Sequence, residues 1–164
     1  MDSTKIGLQG HSFGGYEVNY AITHAHVFAA AISSSGVTDF LTLLNDKIAA
    51  GMSSQWQTEV GQNRMNASMW VAPTKYIENS PLFNLRSITT PLLTVANEKD
   101  ENIPYSQGLM LFLGMRRLGK PCLMLQYQDC THGLWSSSQV DYVLRSTAFF
   151  DYYLKGGAEP AGIH

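Results

Sequence analysis

The chain is short of charge, of cysteine and of long apolar runs, and each shortage removes a class of function. Only 15% of its 164 residues are charged, and eleven Lys plus Arg face thirteen Asp plus Glu for a formal net charge of −2. That balance has no basic surplus to neutralise a phosphate backbone, so nucleic acid is not an expected partner. The longest apolar run, Val27 to Ile32, is far below the roughly 18 to 20 residues that span a bilayer. Met1-Asp2-Ser3-Thr4-Lys5 lacks the basic start and apolar stretch of a secretory leader, so an export signal is expected only upstream of these residues. The two cysteines, Cys122 and Cys130, flank a run that reads as a strand. Extended, they stand roughly 26 Å apart, whereas a disulfide needs Cα atoms within about 7 Å, so two free thiols are expected. No Cys/His cluster has zinc spacing, and neither a metal nor a cofactor is expected.

What the chain does have is 45% apolar residues, enough for one core, and strand signals alternating with helix signals. That alternation predicts a parallel sheet with flanking helices over residues 1–164, a single α/β domain. Strands are expected at Lys5 to Gln9, Phe28 to Ser33, Leu92 to Ala96 and Cys122 to Tyr127. Helices are expected from Tyr16 to His24, from Pro104 to Gly119, and from about Ser138 to Leu154. Proline first and glycine last is the asymmetry of a helix with both ends marked. Leu109, Phe112 and Leu113 would face the core from the second helix, and Val140, Val143, Leu144 and Ala148 from the third. The polar stretch 51–79 reads as an insertion over the sheet, with short helices near Asn66 to Val71 and Pro73 to Ile77.

Gly10-His11-Ser12-Phe13-Gly14 matches G-x-S-x-G, in which small residues flank the serine because a strand-to-helix turn leaves little room for side chains. The pentapeptide alone also suits a glycine-rich turn. Its placement, directly after a strand and before a helix, is what lifts a serine Oγ to the carboxyl edge of a sheet. A nucleophilic serine needs a base, and the base needs an orienting acid. Asp100 follows the third strand and His132 the fourth, so the chain order is Ser, Asp, His, the order of α/β-hydrolases. Asp129 is the second choice of acid, while Asp39 and Asp141 read as caps or surface charges. His24 and His26 fall at a helix end, His164 is terminal, and the His11 side chain is expected to point away from Ser12.

These segments resemble the prolyl oligopeptidase (S9) family of serine peptidases, and bacterial members with dipeptidyl-peptidase-like catalytic domains in particular. Gly7 to Tyr16 is similar to that family's nucleophile segment, G-x-S-x-G-G-Y, and Ser80-Pro81, Thr90-Pro91-Leu92-Leu93, Asp100-Glu101-Asn102-Ile103-Pro104, Arg117-Leu118-Gly119-Lys120 and Thr131-His132-Gly133 follow its order and spacing. The resemblance implies a three-layer α/β-hydrolase-like sheet, of which this chain would hold only the C-terminal half, about four strands. It implies Ser12 as nucleophile, His132 as base and then acid, Asp100 as the group that holds the imidazole, and the Phe13 N–H as an oxyanion donor. Asn102 aligns with an asparagine that holds a substrate carbonyl, or it caps its loop. Val37 and Phe40 fall where the family builds an apolar pocket wall, or they are ordinary core.

Departures from the family carry expectations of their own. Ala96-Asn97 stands where relatives have a His-Gly sequence, a loop change expected to leave the triad untouched. The family's earlier strands, its second oxyanion group and its β-propeller have no counterpart in these residues, so a truncated, weakly active or inactive form is expected. The strand Lys5 to Gln9 would then expose an edge, open to a second copy or to the missing N-terminal region. The substrate implied is a short peptide. An esterase on the same fold and a noncatalytic assembly module are the other readings. A periplasmic or secreted location follows only if the full protein carries a signal peptide, and a cytoplasmic one otherwise.

Overall fold

The computed structural model describes residues 2–44 and 53–160. Four strands, β1 (Gly7–His11), β2 (Ala30–Ser34), β3 (Leu92–Asn97) and β4 (Cys122–Tyr127), form one sheet in the order β1-β2-β3-β4, with every pair parallel. β2 and β3 are buried throughout, as small and branched apolar residues permit when both sheet faces are covered. Helices α1 (Phe13–His24) and α5 (Tyr105–Arg117) cover one face. There Val18, Ile22, Leu111 and Met115 meet Ala31, Leu92 and Cys122. Helix α6 (Ser136–Lys155) covers the other face, packing Phe149 against Ala30, Ile32 and Leu93. The result is the three-layer α/β-hydrolase-like arrangement expected from the sequence.

Among the described residues between β2 and β3 lie three short helices, α2 (Phe40–Leu43), α3 (Gln55–Glu59) and α4 (Pro73–Glu78), and a 3-10 helix over Pro81–Ser87. The first three, with the turns among them, gather Val37, Phe40, Leu43, Met65 and Tyr76 into a separate apolar cluster. The expected insertion 51–79 begins outside the described residues, at 51 and 52. Its candidate helix at Asn66 to Val71 is instead a series of turns. Arg64 and Asn66 adopt φ of 50° and 54°, a left-handed backbone that a right-handed helix does not admit.

Three other expectations are corrected. β1 extends to His11 rather than stopping at Gln9, and α1 begins at Phe13 rather than Tyr16, so Ser12 is the whole turn between strand and helix. On α5 the buried face is Gln107, Gly108, Leu111 and Met115, while Leu113 is 55% exposed. A Cβ at Gly108 would lie 2.7 Å from the Cβ of Ala96, so the glycine brings the helix onto β3 and sets which face turns inward. On α6, Val140, Val143 and Leu144 are more than half exposed, and Ser146 and Phe149 are buried instead. The aromatic residues Tyr142, Phe149 and Tyr153 occupy the sheet-facing stripe, because large rings bury more area than valine and leucine.

Candidate active site

The site is built where β1, β3 and β4 end, since parallel strands deliver their following loops to one edge of the sheet. Ser12 takes φ 60° and ψ −121°, a conformation that a side chain other than glycine's rarely adopts. It is held there by its N–H donating to the Ser34 carbonyl at 2.9 Å and by its own carbonyl accepting from Tyr16 N–H at 3.1 Å. The turn is tight at particular places. A Cβ on Gly10 would lie 2.1 Å from the Gly14 carbonyl oxygen, and one on Gly15 would lie 2.6 Å from that of Ser34. A Cβ on Gly14 would meet nothing within 4 Å. The second glycine of the pentapeptide is therefore not a steric requirement, whereas the first glycine and Gly15 are.

Asp100 lies in the loop after β3, and His132 in the loop after β4. His132 Nε2 lies 2.8 Å from Ser12 Oγ, and its Nδ1 lies 3.0 Å from each Asp100 carboxylate oxygen. Asp100 Oδ1 also accepts the backbone N–H groups of Asn102 and Ile103, both at 2.9 Å, and the carboxylate accepts the Ser35 hydroxyl. Burial by itself pushes this carboxyl up. The hydrogen bonds from His132, Ile103, Ser35 and Asn102 outweigh burial and hold it below its ordinary value of 3.8. The side chain of Asp100 is 1% exposed and that of His132 25%, so the acid is sealed while the imidazole opens onto a cleft.

The loops that carry Asp100 and His132 are tied to each other. Glu98 N–H donates to the Tyr127 carbonyl at 3.1 Å and Lys99 N–H to that of Cys130 at 3.2 Å. The Asn97 side-chain amide donates to the Thr131 carbonyl at 2.6 Å. Asn97 thus braces the residue next to His132, contrary to the expectation that the Ala96-Asn97 change stays clear of the triad. Asp129 is exposed and pairs with Lys99 at 2.8 Å, away from the imidazole. The His11 ring lies against that of His132, with centroids 4.8 Å apart. Burial, and then the neighbouring His132, lower its pKa.

A cleft of about 330 Å³ opens beside Ser12 and His132. Its apolar lining comes from Phe13, Val37, Leu43 and Ile103, and its polar lining includes Ser54, Gln57, Gln62, Asn63 and Asn102. Val37 is positioned by Asn19, whose side chain donates to its carbonyl at 3.0 Å, and by Gln107, whose Oε1 accepts the next two backbone N–H groups. Phe40, the other expected pocket residue, does not line the cleft. It is 1% exposed, packed beneath it and edge-on to Tyr16. Asn102 spends its backbone N–H on Asp100 and remains part of the lining.

Sequence reasoning missed Ser35, Asn97 and the amides at 57, 62 and 63. Ser35 and Asn97 follow or end strands, where Asp100 and His132 were found, and that rule alone could have found them. The amides lie in an irregular segment with no such signal. A larger cleft of about 650 Å³ runs between β4, α5 and α6 and contains none of the three residues brought together here. Both thiols are free and buried, and burial pushes that of Cys122 up to about 12, which leaves it unreactive. Among the described residues no group of three His, Cys, Asp or Glu could hold a metal ion, and no helix is long and apolar enough to cross a membrane.

Comparison with known proteins shows what this chain is similar to. The model of the prolyl oligopeptidase family matches residues 1–157. The chain is 23% identical over 134 residues to an uncharacterized peptidase, YuxL, of Bacillus subtilis, a match that covers 82% of this chain and 19% of that protein. It is 26% identical over 164 residues to the lasso peptide isopeptidase AtxE2 of Asticcacaulis excentricus, covering 98% of this chain and 22% of that one. The acylaminoacyl peptidase of Pyrococcus horikoshii superimposes with a TM-score of 0.81 at 26% identity, over 96% of this chain and 25% of that structure. The chain spans about a fifth of the length of these curated relatives.

Proposed function

The chain belongs to the prolyl oligopeptidase family, and from that premise we propose that it is a serine hydrolase, carrying the nucleophile-bearing part of a peptidase that hydrolyses short peptides through an acyl-enzyme on Ser12. One observation carries the proposal: His132 bridges Ser12 Oγ, at 2.8 Å, and both oxygens of Asp100, at 3.0 Å. With its proton on Nδ1, the imidazole presents Nε2 as an acceptor to the serine hydroxyl. Ser12 Oγ attacks the substrate carbonyl as its proton passes to Nε2. Asp100, ionised and sealed, holds the Nδ1–H and stabilises the imidazolium that forms. The Phe13 N–H, in the first turn of α1 where helix N–H groups lack partners within the helix, donates to the developing oxyanion. The imidazolium then protonates the leaving amine, and the same groups activate water for deacylation. Asn102, at the cleft mouth, would hold a further substrate carbonyl.

β1 pairs only with β2 among the described strands, and its free edge would take an upstream strand of the same protein or a second copy.

The test is to treat the folded chain with an alkyl fluorophosphonate and read the intact mass, with Ser12→Ala as control and light scattering on the same preparation. A single adduct that disappears in Ser12→Ala is expected, from a chain that self-associates. A folded chain that takes no adduct overturns the hydrolase proposal, and a stable monomer overturns the edge pairing.

A further inference from the structure

The cleft beside Ser12 has two unlike ends. Its floor, Val37 and Leu43, is apolar, whereas three carboxamides, Gln57, Gln62 and Asn63, line it from the segment around α3. That segment is fastened to the floor rather than lying loosely over it. The Ser54 hydroxyl donates to the Leu43 carbonyl, Thr58 Oγ1 donates to the Ser54 carbonyl at 2.9 Å, and Asn63 N–H returns to the Gln57 carbonyl at 3.2 Å. Asn63 Nδ2 donates to Thr58 Oγ1, while the other two amides face each other, Gln57 Nε2 donating to Gln62 Oε1 at 3.4 Å. That length is near the limit of a hydrogen bond, so a ligand group loses little by replacing it. Each carboxamide offers both a donor and an acceptor, and no charged side chain among the described residues lines the cleft apart from His132, when protonated.

We propose that Gln57, Gln62 and Asn63 are specificity-determining residues. They read the side chain on the acyl side of the scissile bond and select an uncharged one that ends in a hydroxyl or carboxamide, tyrosine or glutamine, over phenylalanine, arginine or glutamate. The inference rests on Ser12 being the nucleophile. The carbon attached to the attacked carbonyl then carries its side chain into the space adjoining Ser12, where the stem crosses apolar floor and the tip reaches the amides. A phenol or carboxamide finds partners there. A phenyl ring offers the half-exposed amides no partner, and a charged tip meets no counter-charge among the described lining residues.

The test is the rate at which the chain is phosphonylated at Ser12 by N-acetyl-glycyl diphenyl phosphonates whose terminal residue is the analogue of tyrosine, glutamine, phenylalanine, arginine or glutamate. The plain alkyl fluorophosphonate, which has no side chain to read, runs in parallel. The tyrosine probe is expected to label about three- to tenfold faster than the phenylalanine probe, the effect of one or two neutral hydrogen bonds. The arginine and glutamate probes should be at least about tenfold slower than tyrosine. In the double variant Gln57→Leu/Gln62→Leu the tyrosine-to-phenylalanine ratio, read within the variant, should fall to near one. Arginine or glutamate labelling as fast as tyrosine overturns the proposal, as does a ratio that the double variant leaves in place. Failure of the plain probe as well sinks the hydrolase reading itself, and this inference with it.

Discussion

The two sides of the cleft are made in different ways. On one side, Ser12, Asp100 and His132 stand at the ends of strands whose register is set by a continuous parallel ladder, and the loops bearing the last two are joined by backbone bonds. On the other, the segment 53–79 contributes no strand to the sheet and is held by local backbone bonds, such as Asn66 N–H to the Glu59 carbonyl at 2.8 Å, and by side chains that reach backbone carbonyls. Ser54 reaches Leu43, Lys75 reaches Met65 at 2.9 Å, and Tyr76 reaches Ala67 at 2.8 Å. The sheet side repeats a geometry that any parallel α/β domain supplies, so chemistry can be placed there by position. The other side depends on individual polar residues, and can change its lining without disturbing the triad.

The sharpest way to break the sheet side is to remove the charge at its sealed corner. Asp100→Asn leaves the shape nearly intact but presents an amide to His132 Nδ1, and labelling of Ser12 by the fluorophosphonate should slow by about 10⁴-fold, the size of that change in a Ser-His-Asp site. The same carboxyl gives a stability signature. Its pKa is lower folded than unfolded, so on acidification the unfolded chain takes up the proton first. The stabilisation is fully present above the ordinary value of 3.8 and is lost as pH falls through the lower folded value. Urea unfolding of the parent chain should therefore show an acid limb in that window that Asp100→Asn lacks. An unchanged limb would mean that other carboxyls dominate it.

This division also decides what could be read from sequence. Ser12, Asp100 and His132 were placed by one rule, that functional residues follow parallel strands, and that rule needs only the strands to be recognised. Strand β4 was found at its observed boundaries, because a short apolar run after Gly119 and Pro121 has few other uses. The exposed Val140, Val143 and Leu144 on α6, and Leu113 on α5, show where periodicity falls short. Each helix offers two apolar stripes, and which one turns inward is decided by Gly108 against Ala96 and by the ring of Phe149, contacts made across more than ten residues of chain. Phe40 and Val37 illustrate the same limit at the site. They stand three residues apart, yet one lines the cleft and the other lies under it. The amides at 57, 62 and 63 obey no period at all.

Within the elbow, the comparison can be sharpened at two glycines of one motif. Gly10→Ala would drive a methyl to 2.1 Å from the Gly14 carbonyl oxygen, and that clash is with backbone, which cannot swing aside. We expect a loss of about 1 to 3 kcal/mol or more in unfolding free energy, and Ser12 labelling should fall with it. Gly14→Ala places its methyl in open space inside the first turn of α1, where alanine favours the helix by up to about 1 kcal/mol over glycine. Parallel urea titrations of the two variants decide the matter. Equal destabilisation would mean that the motif is a single unit rather than one steric requirement and one dispensable position.

The smallest effect is expected where a contact looks most like a clasp. Lys99 and Asp129 join the two loops that carry Asp100 and His132, at 2.8 Å, but their side chains are 61% and 89% exposed. Water and salt screen such a pair, and holding two long side chains together costs entropy, so its net worth is about 0 to 1 kcal/mol. The backbone bonds from Glu98 and Lys99 join the same loops without that penalty. Lys99→Ala should then change neither the unfolding equilibrium constant, read by urea titration, nor the rate of Ser12 labelling by more than about fivefold. A larger fall in labelling at unchanged stability would show that the exposed pair, and not the backbone beneath it, sets the position of His132.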